Sequence, residues 1–108
     1  MDESTERELR QFQRMGKLLR SFESGELSLE RTLSGIRGLL SALDETPENW
    51  TRRFKAEWNT IEVEYASALS RGAAPPSPSA QGVKEAAEQM LSMVNERISA
   101  LHPGQGAP

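Results

Sequence analysis

The chain has 108 residues, enough for one domain, and its 13 basic and 16 acidic side chains leave a formal charge of −3. It has no cysteine and one histidine, which excludes disulfides, thiolate ligands and any zinc site built from several His or Cys residues. The acidic balance argues against a nucleic-acid partner, since general nucleic-acid binders carry a basic excess.

Hydrophobic residues make up only 36% of the chain, so a domain this small has a thin core and modest stability. No apolar run approaches the roughly 18 residues needed to span a bilayer. Met1-Asp2-Glu3-Ser4 opens on acids with no apolar run behind it, so no secretory leader is readable and a cytoplasmic location is expected. Arginines outnumber lysines ten to three, which hints at a GC-rich genome.

Four helical segments are predicted in chain order. The first runs from about Ser4 to Phe22, because Leu9, Phe12, Met15, Leu19 and Phe22 recur at three- and four-residue steps. Gly25 is its expected C-terminal cap. The second starts behind Ser28, a good N-cap, and carries Leu29, Leu33, Ile36, Leu40 and Leu43 before stopping at Asp44-Glu45. The third opens at Thr46-Pro47-Glu48, with Thr46 expected to cap and Pro47 to take the first helical position. Its stripe is Trp50, Phe54, Trp58, Ile61, Tyr65 and Leu69, and Gly72 stops it. Ala73 to Ala80 is rich in proline and reads as a semi-extended linker. The fourth helix, Gln81 to Leu101, presents Val83, Ala87, Met90, Val94, Ile98 and Leu101.

Four amphipathic helices each have one stripe to bury, and packing them together is the simplest solution. The expected fold is therefore all-α, a small antiparallel bundle of three to four helices. Short turns make the first three neighbours, so residues 1–72 read as a three-helix core. Residues 73–80 are then a linker, 81–101 a fourth helix that completes the bundle or docks on another chain, and 102–108 a disordered tail.

No nucleophile–base pair is available, since there is no cysteine and His102 lies in the tail. No phosphate-binding loop is present, as Gly35 and Gly38 sit inside a helical stripe rather than after a strand. The carboxylate pairs Glu62/Glu64 and Glu85/Glu88 lie beside polar positions and read as solvated surface. An enzyme, a cofactor and a metal are accordingly not expected.

Two features point to binding. The first helix carries Arg7, Arg10, Arg14, Lys17 and Arg20 largely opposite its apolar stripe. That face suits an anionic membrane surface or an acidic partner. The competing reading is a solvated face balanced by Glu6, Glu8 and Glu23, and residues 1–25 carry no net charge, so a membrane partner is not favoured. The second feature is on the second helix. Opposite its leucines lie Ser34, Gly35, Gly38, Ser41 and Ala42, all small. A glycine inside an exposed helix costs about 1 kcal/mol relative to alanine, so a helix of this chain or of a partner is expected to lie against that face. The dense aromatic stripe of the third helix reads as core, with Glu62 and Arg37 at facing edges as a half-buried pair.

The run Phe22-Glu23-Ser24-Gly25-Glu26-Leu27-Ser28-Leu29, with Trp50, Phe54, Trp58, Ile61-Glu62 and Tyr65-Ala66, resembles uncharacterised small helical proteins of GC-rich bacteria. Some of these look like immunity proteins of polymorphic toxin systems. The resemblance covers residues 22–69, implies a helical fold and supplies no catalytic residue. The expected function is a protein-binding module without catalysis, of the immunity or adaptor type, that occludes a partner. A self-associating homodimeric module and a membrane-surface module acting through the first helix are the alternatives.

Overall fold

A computed structural model describes residues 3–43 and 46–101. It contains four α-helices: α1 (Glu3–Glu23), α2 (Leu29–Ser41), α3 (Glu48–Ser70) and α4 (Gln81–Leu101). His102, the tail 102–108 and the Asp44-Glu45 stop lie outside the described residues. Among those residues no helix is long and apolar enough to cross a membrane. The expected all-α bundle is what forms.

Local chemistry explains where the helices begin and end. Gly25 takes φ +84°, which a glycine adopts without steric cost. Glu26 N–H then reaches Ser21 O at 2.9 Å and Gly25 N–H reaches Phe22 O at 3.0 Å, closing a Schellman motif. The same motif recurs at Gly72, φ +68°, where Ala73 N–H bonds Ala68 O at 2.8 Å. The Ser28 side chain caps α2 by accepting from Arg31 N–H at 3.2 Å.

The start of α3 departs from the expectation. Pro47, not Thr46, is the N-cap, and no side chain caps the helix there. The Thr46 hydroxyl instead donates to the Glu8 carboxylate. Glu8, expected on the solvated face of α1, is buried. A buried carboxylate needs a donor, and Thr46 supplies one, so this bond ties the entry of α3 to the first turns of α1.

α4 is central to the packing. α1 and α3 each pack chiefly on α4, while α2 packs on α1. The first three helices are thus not a row of consecutive neighbours. Val94 lies across from Gly16, and Arg97 stands 5.8 Å from the centre of the Phe12 ring. The C-terminal end of α1 meets the start of α4 through Gly25 and Lys84, so the two run antiparallel. Trp50 at the start of α3 donates its indole N–H to Met93 O near the end of α4, 3.1 Å away, so this pair is antiparallel too.

The core holds Phe12, Met15, Phe54, Ile36, Ala87 and Val94 with essentially no exposure. Trp50 bridges α1 and α3, edge-on to Phe12 at 5.2 Å and stacked on Phe54 at 4.8 Å. Such ring contacts add to area burial. The stripes predicted for α1 and α2 reach the core, although Leu40 and Leu43 are only half-buried. On α3 the stripe ends early. Leu69 is 56% exposed, and Ala68 occupies the buried position instead. Residues 73–80 lie mostly exposed between the bodies of α3 and α4.

Candidate functional site: two grooves flanking helix α2

Because α1 and α3 both lean on α4, α2 is left packed on one side only. Its outer face stands between two open depressions that share Ser34.

The groove on the α1 side has a volume of about 520 Å³ and an almost wholly apolar floor. Leu18, Leu27 and Leu39 form that floor, Gly35, Gly38 and Ser34 form one wall, and Arg14 and Lys17 stand on the opposite rim. The two features singled out in the sequence therefore converge: the small face of α2 and part of the basic face of α1 line one site. Arg7 and Arg10 are exposed further along α1, and Ser41 and Ala42 are exposed near the end of α2; none of the four lines the groove. Among the described residues, no carboxylate lies within ion-pair distance of Arg14 or Lys17.

The two glycines do different things. A Cβ on Gly35 would stand 2.7 Å from a Leu18 methyl carbon, whereas a Cβ on Gly38 would meet nothing within 4 Å. Of the helices expected against the small face, the chain's own α1 covers Gly35, while no atom of the chain comes near Gly38. The reason is the antiparallel pitch of α1 along α2, which brings Leu18 over one glycine and leaves the next over the groove. Ser41 turns its hydroxyl onto Gly38 O at 2.9 Å.

The depression on the α3 side has a volume of about 640 Å³. Glu30, Leu33 and Arg37 of α2 face Glu62, Val63, Tyr65, Ala66 and Leu69 of α3 across it. Val63 and Leu69 are the large hydrophobics that stand out, at 55% and 56% exposure. Arg37 donates to Glu62 at 2.9 Å, and its guanidinium lies 5.6 Å from the Trp58 ring centre. The anticipated Arg37–Glu62 pair forms, but at 66% and 36% side-chain exposure it is a surface bridge, worth at most about 1 kcal/mol.

Sequence reasoning missed the floor of the first groove. The available signal was that Leu18 and Leu39 fall outside the core stripes and Leu27 lies in a turn: three leucines without an assigned partner. Val63 was likewise unassigned. Among the described residues, no three His, Asp or Glu side chains gather in a way that could hold a metal ion.

No protein-family model matches the chain, and no curated protein or solved structure is significantly similar to it.

Proposed function

We propose that this protein is a non-catalytic protein-binding module that docks a partner on the outer face of α2. The observation that carries the reading is the convergence of Ser34, Gly35 and Gly38 with Arg14 and Lys17 on one apolar groove. An apolar floor gains from covering, and small walls let a partner backbone approach closely. Unpaired cations on the rim select an occupant bearing carboxylates. The immunity-protein resemblance gives one concrete form, in which the module occludes a toxin domain. The local charge of the groove then points to an acidic patch on that partner despite the chain's own −3.

The reading includes a cytoplasmic location, supported by a cysteine-free fold that needs no oxidising compartment. A membrane-surface role for α1 has less support. The apolar residues near its cations form the floor of a groove rather than a protruding face, and interfacial helices insert a protruding one.

The test is position-specific photo-crosslinking. A crosslinker at Ser34 should yield one discrete protein adduct that disappears when Gly38→Leu fills the groove. The same crosslinker at Gln89, exposed on α4, should yield none. Equal adducts from both positions, or an adduct indifferent to Gly38→Leu, would overturn the proposal.

A further inference from the structure

The geometry points to a second copy of this chain as the occupant of the α2 face, in a parallel two-fold dimer; this rests on the docking reading above. Three observations carry it. The first is apolar surface on both flanks of α2. One side of α2 is a groove with a leucine floor, and on the other side Val63, Ala66 and Leu69 form an exposed apolar wall of the second depression. A two-fold axis running along α2 sets each copy's α3-side depression against the other's α1-side groove, so that apolar lining covers apolar lining. Such an interface is isologous and closes at two subunits.

The second observation is register. α3 runs antiparallel to α2, since α1 and α3 both run antiparallel to α4 and the turn at Gly25 sets α2 antiparallel to α1; the Arg37–Glu62 bond then fixes their register. The depression therefore spans the α2 segment from about Glu30 to Arg37. The groove spans Ser34 to Leu39 of the same helix. A rotation about an axis along α2 keeps each level unchanged, so the two overlap from Ser34 to Arg37 without sliding.

The third is charge and size. The crest of α2 reads Arg31, Ser34, Gly38 and Ser41 at helical spacing, all exposed. Ser34 and Gly38 are small enough for two helices to meet backbone to backbone. The groove rim offers Arg14 and Lys17, while the α3-side depression offers Glu30 and Glu62 against one Arg37. In the dimer Arg14 of one copy comes level with Glu62 of the other. Arg31, on the α1 side of the crest, faces the second copy's Glu30.

The absence of cysteine makes a direct test available. Gly38→Cys lies beside the two-fold axis, so mild oxidation should link two chains rapidly through it, because a disulfide requires Cα atoms within about 7 Å. Gln89→Cys should stay unlinked. Sedimentation of the native chain should show a concentration-dependent dimer. Val63→Glu and Gly38→Leu, which alter opposite halves of the interface, should each weaken it at least tenfold without lowering the thermal midpoint of the dilute protein. Oxidation that links Gln89→Cys as fast as Gly38→Cys would overturn the dimer. So would dimerisation untouched by both substitutions. A native chain that sediments as a monomer at millimolar concentration, yet still gives the Ser34 adduct with another protein, overturns the second copy and keeps the docking reading. A monomer with no such adduct overturns both.

Discussion

The two glycines of α2 offer a test of the packing at single-methyl resolution. Gly38→Ala adds a methyl that meets nothing within 4 Å. It should therefore return the full helix-propensity and chain-entropy term, about 0.5–1 kcal/mol of added stability. Gly35→Ala earns the same backbone term, but its Cβ would sit 2.7 Å from Leu18 Cδ1, so Leu18 has to turn away. Overpacking costs about 1–3 kcal/mol in a tight core. Leu18 is only half-buried, so the cost falls at the bottom of that range, about 1 kcal/mol, and the two terms cancel. The decisive comparison is a double-mutant cycle with Leu18→Ala. That change alone should cost about 1–2 kcal/mol, less than a fully buried leucine. In its background Gly35→Ala should recover the stabilisation seen at Gly38, a coupling of about 1 kcal/mol. The assay is urea unfolding followed by tryptophan fluorescence, at submicromolar protein so that self-association does not enter. Equal stabilisation by both alanines in the native background, with a cycle additive to within about 0.3 kcal/mol, would refute the placement of Leu18 over Gly35.

Further expectations follow from the core. Trp58 is 8% exposed, so Trp58→Ala should cost roughly 3–5 kcal/mol; a Trp58→Ala protein as stable as the native one in the same urea titration would place that ring outside the core. Trp58→Phe should cost less than Trp50→Phe, because the buried Trp58 indole N–H has no acceptor whereas that of Trp50 bonds Met93 O; the reverse order in thermal melts would contradict this. Thr46→Val strands the buried Glu8 carboxylate without its donor and should cost about 1–3 kcal/mol; Thr60→Val, whose hydroxyl is exposed, serves as the control that should barely move the midpoint. Limited proteolysis should cut first within residues 73–80, where the chain is exposed and outside any helix, and first cleavage inside α2 or α3 would show those helices to be the weaker elements.

Sequence periodicity by itself determined the number of helices, their approximate ends and most of the core. This works because a helical stripe is a local property: Leu9, Phe12, Met15, Leu19 and Phe22 fall on one face whatever they meet. The glycines that stop α1 and α3 were equally legible, since a left-handed C-terminal residue is a local demand met at Gly25 and Gly72. The two candidate binding features were also readable, as a small face and a basic face on separate helices. Their convergence was not. The short turn already made α1 and α2 antiparallel neighbours; what no spacing within either helix encodes is how each is rotated, and that rotation brings Arg14 and Lys17 to the groove beside Gly35 and Gly38. Tertiary packing likewise decided that α4 takes the centre and that Glu8 is buried. It also left Leu69 in solvent and made one glycine of α2 a contact point while the next stayed open. Each of these outcomes is set by how long apolar faces share a limited interior. α4 buries Val83, Ala86, Ala87, Met90, Met93 and Val94, a face wide enough to serve both α1 and α3. α2, thirteen residues long, is therefore held on one side, and the exposed grooves beside it are the consequence.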